Sequence, residues 1–275
     1  MGTIYTSLIM DMVQSRKLSP EQRMTFQKNL KQYLDRLNAI YEPYLKYPVV
    51  FSAGDSMQGL FYHAQDAYLY FLLLEAIIYP LEIRCGIGMG ELTVDLAGFD
   101  SNMQDGPVYY RSREAIDFAK EKGLTLVIQT LQSDDLYLNE LIYTMKRLEK
   151  DLTKKRRQIA LLIDMLFPID ERLQEHPLYR LLLNDLLTNH PFITPIIKQM
   201  PDLKKPLIID RSEPKSFPRF FDRQELKGVP TLIGTITDTS RQNIQQMIKQ
   251  GKLTEIRHLK RLVKKFLMEY YDHHH

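Results

Sequence analysis

Two aspartates in the N-terminal region have positions that suit the binding of divalent metal ions. Asp11 is the only charged residue in the apolar segment Tyr5–Met12, and Asp55 follows the apolar residues 49–51 in a Gly-Asp turn. Carboxylate oxygens are preferred ligands of hard cations such as Mg²⁺, and a pair of such ions can neutralise a triphosphate and activate a hydroxyl. If the two segments are neighbouring strands, both carboxylates point at one spot. The pair then predicts a site for Mg²⁺ or Mn²⁺ and a nucleoside triphosphate.

Each aspartate alone also has an ordinary structural explanation. A single buried aspartate in a strand is usually satisfied by nearby backbone donors. The dipeptide Gly54-Asp55 suits a tight turn without any metal. Only the joint placement of Asp11 and Asp55 favours a metal site, and both explanations stay open at this point.

The order of apolar segments predicts an α+β domain that could bring these aspartates together. The segments predict strands over 5–12, 49–51, 57–62, 81–90 and 124–129, and helices that begin at Ser19 and extend over 64–79 and 109–121. The first six elements give the order β-α-β-β-α-β of a ferredoxin-like fold, with a helix and a strand appended. We therefore expect a palm domain over residues 1–133.

A different pattern begins at Leu138. Apolar residues recur at steps of three and four, at Leu138, Leu141, Met145, Leu148 and Leu152. This spacing predicts a helix over 136–164 with either two heptads of a dimeric coiled-coil seam or an ordinary amphipathic face. Because prolines interrupt the apolar segments that follow, we expect residues 134–209 to be a connector of short helices.

A second group of polar residues lies near the C-terminus, where residues 229–247 have the spacing of a helix-turn-helix. Gly234 is the small residue expected where two helices cross, and Asp238 is expected in the turn. The predicted outward face consists of Ser240, Arg241, Gln242, Gln245, Gln246 and Lys249. Such side chains can contact phosphates and the edges of guanine and adenine. We expect a linker and this motif over 210–272, as a DNA-binding module or as a protein-interaction module.

The charge distribution favours DNA as the partner of the C-terminal half. Residues 1–130 carry 12 Lys and Arg against 15 Asp and Glu, whereas residues 131–275 carry 25 against 19. An anionic polymer would therefore bind the C-terminal half. The final residues 273–275 are expected to be the remnant of a purification tag, and they are left out of metal-site reasoning.

The remaining composition indicates a soluble cytoplasmic protein. Apolar residues make up 44% of the chain and charged residues 26%, as in folded soluble proteins. The apolar run over 67–81 is interrupted by Glu75 and Pro80, so we expect a buried helix and no membrane partner. The single Cys85 excludes an internal disulfide and fits a reducing compartment. No secretory signal pattern is expected at the start of the chain.

Four blocks of the sequence are similar to motifs of class III nucleotidyl cyclases and, more closely, of the SatD family. The blocks are residues 10–16, 51–56, 83–91 and 106–113, and they occur in the order of the family motifs. The resemblance implies a cyclase-type palm followed by an all-α region with a helix-turn-helix. It also implies that Asp11 and Asp55 bind metal, that Arg84 and Arg113 bind nucleotide, and that Arg113 takes the place of a catalytic transition-state arginine.

One position departs from the cyclase pattern. By the same resemblance Tyr109 is a nucleotide-binding residue, but it stands where cyclases have the asparagine that orients the ribose, and it offers one hydroxyl in place of an amide. Positioning of the attacking hydroxyl therefore differs, which favours a nucleotide-binding palm that does not cyclise. The resemblance implies a homodimeric regulatory protein that binds nucleotide and DNA. The alternatives are an active metal-dependent cyclase or nucleotidyltransferase, and a dimeric scaffold without ligand.

Overall fold

The computed structural model describes residues 3–13, 19–52, 56–96, 98–130, 133–203 and 226–271 of the chain. The chain forms two compact units. The palm unit contains Met1–Thr144 and Leu262–His275, and the helical unit contains Met145–Arg261. These limits differ from the expected domains 1–133, 134–209 and 210–272: residues 134–144 and the C-terminal residues belong to the first unit, and residues 145–261 form one unit in place of two.

The palm unit is built on a five-stranded sheet. Its elements are β1 Ile4–Met12, α1 Pro20–Tyr41, β2 Leu45–Phe51, β3 Ser56–Phe61, α2 Ala64–Ile78, β4 Ile83–Glu91, α3 Pro107–Lys122 and β5 Leu126–Gln129. The strand order is β2-β3-β1-β4-β5; β1 is antiparallel to β3 and β4, and β5 is parallel to β4. The first four strands have ferredoxin-like topology, which confirms the predicted α+β fold.

The apolar run expected to be a buried helix is α2. Almost all of its residues are buried, including Tyr68, Tyr70 and Phe71, so the helix is apolar around most of its circumference. Among the helices in the described ranges, none has the length and apolar character needed to cross a lipid bilayer.

Helix α3 lies in direct backbone contact with β4. Gly86, Gly88 and Gly90 alternate along the strand and therefore face the same side of the sheet. A Cβ atom built on Gly88 would lie 2.2 Å from the backbone nitrogen of Ser112, and one on Gly86 would lie 2.4 Å from that of Ile116. Only glycine allows α3 to approach the sheet this closely.

Asparagine side chains bond to both edge strands of the sheet. Asn38 of α1 donates to the carbonyl oxygen of Val49 at 2.9 Å and accepts from its amide at 3.0 Å. Asn139 makes the same pair of bonds with Ile128 of β5, at 2.8 and 2.9 Å. Because each amide satisfies an edge donor and an edge acceptor, it reduces the tendency of that edge to pair with another chain.

The helical unit consists of packed helices from the second half of the chain. Helix α4, Asp135–Lys150, crosses from the palm unit into it and is followed by α5 Lys154–Leu166, α6 Pro177–Asn189, α7 Val229–Thr237, α8 Arg241–Gln250 and α9 Leu253–Phe266, of which the residues from Leu262 onward belong to the palm unit. A π-helical turn, Leu267–Tyr271, ends the described chain. The linker expected after residue 210 lies mostly outside the described residues.

The structure corrects the single helix expected over 136–164. Helix α4 ends at Lys150 and α5 begins at Lys154, and the guanidinium of Arg157 donates to the carbonyl oxygen of Glu149 at 2.6 Å. That bond satisfies one of the carbonyls left free where α4 ends. Leu138 and Met145 of the expected dimer seam are fully buried within the chain. The amphipathic alternative therefore describes α4, while Leu141, Leu148 and Leu152 are half-buried and the dimer stays a prediction.

A methyl group at Gly88 is expected to destabilise the palm unit. Because Gly88→Ala places a Cβ against the backbone of α3, the helix must shift, at a cost of about 1–3 kcal/mol. Urea unfolding followed by tyrosine fluorescence measures this cost. Gly123→Ala is the control, since its φ of +67° costs only about 1 kcal/mol and no atom lies near the added methyl. Equal unfolding midpoints for the Gly88 variant and the wild type would contradict the close contact.

Candidate functional site

Asp11 lies near the end of β1, on the face of the sheet that α3 covers. Its strand partners are Ser56 of β3 and Arg84 of β4. Ser7, four residues earlier on the same face, accepts a 2.9 Å hydrogen bond from Ser112 of α3. The Asp11 side chain is 16% exposed, so a solvent-borne ligand can reach its carboxylate.

A lysine from α3 pairs with Asp11. The ammonium of Lys120 lies 2.5 Å from the carboxylate of Asp11 and 3.6 Å from that of Asp117. The Lys120 side chain is 44% exposed and joined to the helix by a flexible stem, so it can move away. The carboxylate of Asp11 therefore pairs with the ammonium of Lys120, and a metal ion could replace that ammonium.

Two predicted arginines lie on the same side of the sheet as Asp11. Arg84 alternates with Gly86 along β4, and its Nε donates to the carbonyl oxygen of Leu124 at 3.1 Å. A guanidinium has five N–H donors, so this bond leaves others for a ligand. Arg113 is exposed on α3, seven residues before Lys120, which places the two about 10 Å apart along one side of the helix.

The structure thus brings Asp11, Arg84 and Lys120 to one place, with Arg113 two helical turns away. We call these four residues the β1-end group. Lys120 was missed in the sequence because it lies outside the four family-like blocks. Its spacing of seven residues from Arg113 was the available signal, since residues seven apart share one side of a helix.

Tyr109 lies near the start of α3, one helical turn before Arg113 and far from Lys120. Its hydroxyl is 3.1 Å from Oγ of Ser101, whose carbonyl oxygen accepts a 2.8 Å bond from Gln58. The ring packs with Leu60 in the core, and burial raises the pKa of the phenol to about 12. Tyr109 precedes Lys120 by eleven residues, about 16 Å along α3. Its predicted role toward a nucleotide stays a prediction.

The predicted metal pair can be placed only in part. Asp55 lies outside the described residues, next in sequence to Ser56, the strand partner of Asp11. Among the described residues, no group of three or more His, Cys, Asp or Glu side chains could hold a metal ion. Asp11 supplies the oxygen chemistry that Mg²⁺ or Mn²⁺ requires, and the ammonium of Lys120 is a stand-in cation there. Of the two carboxylates predicted to bind the metal, Asp11 therefore has a position and chemistry that suit the ion.

The C-terminal pair of helices forms the second candidate site. Helices α7 and α8 are joined by a three-residue turn in which Asp238 has a φ of +50° and ends α7. Oγ of Ser240 accepts a 3.3 Å bond from the amide of Asn243 and begins α8. Gly234 differs from its expected place at a helix crossing: its Cβ would lie 2.6 Å from the carbonyl oxygen of Thr239, so it makes room for the turn.

Most residues of the predicted DNA-contacting face lie on the surface of α8. Arg241, Gln242, Gln245, Gln246 and Lys249 are exposed, and so is Ser240 at the helix start. Ile244 and Ile248 are buried on the opposite face. The side chains are therefore accessible, while their contact with DNA stays a prediction.

A buried ionic cluster holds three helices of the helical unit together. The ammonium of Lys260 in α9 lies 2.8 Å from the carboxylate of Glu149 in α4 and 2.7 Å from that of Asp164 in α5. Arg257 pairs with Asp164 at 2.5 Å, and Lys146 pairs with Glu149 at 3.0 Å. These five side chains are at most 15% exposed, so solvent screens them weakly.

The cations of this cluster decide the charge of its carboxylates. Burial alone would raise the pKa of Glu149, but the charges of Lys146, Lys260 and Arg157 outweigh it and hold that pKa below its usual value. The pKa of Asp164 is likewise lowered, because Lys260 and Arg257 outweigh its burial. Both carboxylates therefore stay ionised near neutral pH.

The topology and the β1-end group define a ferredoxin-like α+β palm that is followed in the chain by a helical unit. The model of the SatD family matches residues 5–175, which is more than half of the chain. The chain therefore belongs to the SatD family. No curated protein matches it significantly.

Solved structures similar to the chain include cyclase domains. A guanylyl cyclase domain of the RhoGC fusion protein from the fungus Blastocladiella emersonii is 17% identical over 42% of this chain and 74% of that one, with a TM-score of 0.34. A bacterial light-regulated adenylyl cyclase is 13% identical over 46% and 75%, with a TM-score of 0.35. The adenylyl cyclase CyaB from P. aeruginosa is 20% identical over 40% and 70%, with a TM-score of 0.29. Similarities this distant do not identify a reaction.

Removal of the central ammonium is expected to destabilise the helical unit. Lys260→Met leaves Glu149 and Asp164 buried with less compensating charge, which costs about 3–5 kcal/mol when one partner of a buried ion pair is lost. Thermal unfolding followed by circular dichroism should show a lower midpoint. Lys265→Met is the matched control, because Lys265 and its partner Glu269 are more than half exposed and should contribute little. Equal effects of the two variants would contradict the cluster.

Proposed function

We propose that the palm unit binds a nucleoside triphosphate and does not cyclise it. The observation that carries this proposal is the Asp11–Lys120 ion pair at the end of β1, beside Arg84. Arginine and lysine bind phosphate oxygens through charge-assisted hydrogen bonds. Arg84, Arg113 and Lys120 give three such side chains on one side of the sheet, and they are the residues that would hold the phosphates.

In this proposal the triphosphate binds together with Mg²⁺ or Mn²⁺. Asp11 is the described residue whose oxygens would hold the ion, with Asp55 as the second carboxylate from the sequence. The ion supplies charge neutralisation for the phosphates. Because Lys120 is exposed and flexible, its ammonium can leave Asp11 and donate to a phosphate oxygen. Lys120 would then pair with Asp11 before the nucleotide binds and with a phosphate oxygen afterwards.

The environment of Tyr109 supports binding over cyclisation. Although Tyr109 is one turn from Arg113 on α3, its side chain is buried and its hydroxyl is hydrogen-bonded to Ser101. A residue that orients a ribose hydroxyl must lie within hydrogen-bonding distance of it. An active cyclase or nucleotidyltransferase and a ligand-free scaffold are the alternative outcomes of the same experiment.

A second function, DNA binding by α8, is proposed on a separate observation. The polar face of α8 is exposed, while its apolar face is buried in the helical unit. Together the two functions would make the chain a regulatory protein that couples nucleotide binding to DNA binding. Cys85 is a buried free thiol, which supports a reducing compartment such as the cytoplasm.

Lys120 is expected to be needed for nucleotide binding. Hydrogen bonds to charged groups contribute about 1.5–3 kcal/mol, so Lys120→Ala should weaken binding by about 10- to 100-fold. Calorimetric titration of ATP and GTP, with and without Mn²⁺, measures this change. Lys122→Ala is the matched control, because Lys122 lies at the same end of α3 but pairs with Glu121.

The same titrations separate the alternatives. Binding without product supports the proposal, and Asp11→Ala should then remove the dependence on Mn²⁺. Release of a cyclic nucleotide or of pyrophosphate would instead establish an enzyme. If the wild type binds neither nucleotide, the palm is a scaffold. Equal affinities of the wild type and the Lys120 variant would place the nucleotide elsewhere.

Two cations of α8 are expected to be needed for DNA binding. Arg241→Ala combined with Lys249→Ala removes two exposed positive charges from the predicted face and should abolish the shift of duplex DNA in a low-salt gel assay. Lys28→Ala combined with Lys122→Ala is the control with the same change of net charge, on exposed positions of the palm unit. If the wild type shifts no DNA at low salt, this second function is wrong.

A further inference from the structure

Two adjoining cavities run along one side of α8 in the helical unit. The larger has a volume of about 480 Å³ and the smaller of about 260 Å³. Both are lined by Lys155, Asn243 and Met247, so they form one continuous depression. We call it the α8 groove; it extends from Ser240 at the start of α8 to Gln250 at its end.

The walls of the α8 groove carry cationic and polar side chains above an apolar floor of isoleucine, proline and methionine side chains. Lys155 and Arg156 come from the first turn of α5, and Lys198 comes from the segment that follows α6. Asp238 is the only acidic side chain among the described residues that line it. Hydroxyl and amide side chains line the groove as well, and the apolar side chains of Ile159, Pro195, Ile196, Ile244 and Met247 form the rest of its lining.

Backbone and side-chain bonds fix these walls relative to α8. The guanidinium of Arg156 donates to Oε1 of Gln250 at 2.5 Å, which joins α5 to the end of α8. The amide of Lys198 donates to the carbonyl oxygen of Ile236 at 2.7 Å, which holds that wall beside the end of α7. The groove is therefore formed before any ligand binds.

We propose that the α8 groove holds the sugar–phosphate backbone of a DNA duplex while the outward face of α8 contacts the bases. This inference rests on the proposed DNA binding. The major groove is about 12 Å wide, so a helix inside it lies between two phosphate strands. The cationic side chains along one side of α8 would contact the sugar–phosphate backbone of one of those two DNA strands. Lysine, hydroxyl and amide side chains are the groups that contact phosphates and sugars.

The form and charge of the groove favour a polymer as its occupant. The depression is open and follows the axis of α8 for the length of the helix. A duplex backbone is extended and carries a negative charge at every phosphate, which matches Lys155, Arg156 and Lys198 along the walls. The other occupant with the same chemistry is a free phosphate compound, and the experiment distinguishes the two.

The test is the salt dependence of DNA binding. Each phosphate contact contributes about 0.9 to the slope of log K against log salt concentration, so Lys155→Gln combined with Lys198→Gln should lower its magnitude by about 1.8. The affinity should fall by the same factor for every duplex sequence. Gln242→Ala combined with Gln245→Ala, two residues of the outward face that do not line the groove, should instead change the ranking of sequences and leave the slope unchanged.

Lys154→Gln combined with Lys28→Gln is the matched control. Lys154 is exposed on the same turn of α5 but does not line the groove, so this pair should leave the slope unchanged. Circular dichroism of each variant verifies that it folds. A wild-type slope in the Lys155 and Lys198 variant would overturn the groove proposal and leave DNA binding by α8 intact.

Two further results would also overturn the proposal, and they can be told apart by whether the wild type binds DNA. If the wild type binds no duplex at any salt concentration, DNA binding itself fails and the groove proposal fails with it. If inorganic phosphate or ATP binds the wild type but not the Lys155 and Lys198 variant, while both bind DNA equally, the groove is a site for small anions. A parallel calorimetric titration with inorganic phosphate and ATP supplies that comparison.

Discussion

The palm unit depends on the direct approach of α3 to β4, where helix backbone meets strand backbone. Gly86, Gly88 and Gly90 make this approach possible because no side chain separates the two elements. As a consequence, the last turn of α3 lies beside the end of β1, where Lys120 pairs with Asp11. A bulkier β4 would lift the helix and move that ammonium out of reach of the carboxylate. The chemistry proposed for the palm therefore depends on three residues that carry no functional group.

A different constraint acts in the helical unit. Its central contact is a set of buried charges in which Lys260 pairs with both Glu149 and Asp164. Burial of charge is unfavourable, so each ion here requires its partners. The cluster fixes the end of α4 and the middle of α9 against α5, and α5 in turn forms one wall of the α8 groove. The stability of the cluster and the geometry of the groove are therefore linked through α5.

Most of the palm fold could be predicted from the sequence, because its elements are marked locally. The strand β1 is a mostly apolar segment, and α2 is an apolar run too long for a strand. Asp11 could be placed at a strand end for the same reason. Lys120 could not, since its pairing with Asp11 depends on how α3 crosses the sheet. The burial of Tyr109 beneath Ser101 likewise depends on a loop whose path no local pattern specifies.

The second half of the chain was harder to predict, because its helices are ended by long-range contacts. The apolar spacing continues from Leu148 to Leu152, yet α4 stops at Lys150, where Arg157 bonds to the carbonyl oxygen of Glu149. The same spacing suggested a dimer seam, but Leu138 and Met145 are buried in the chain itself. By contrast, the turn between α7 and α8 was predictable, because Asp238 and Ser240 are residue types that favour a left-handed turn and a helix start.

The central claim is that the β1-end group binds the phosphates of a nucleotide. Its most direct test is a crystal structure of the protein with Mn²⁺ and a non-hydrolysable triphosphate. The account predicts that the ammonium of Lys120 leaves Asp11 and lies within hydrogen-bonding distance of a phosphate oxygen, with Arg84 or Arg113 on the same phosphates. A nucleotide bound elsewhere, with the Asp11–Lys120 pair still closed, would contradict the account.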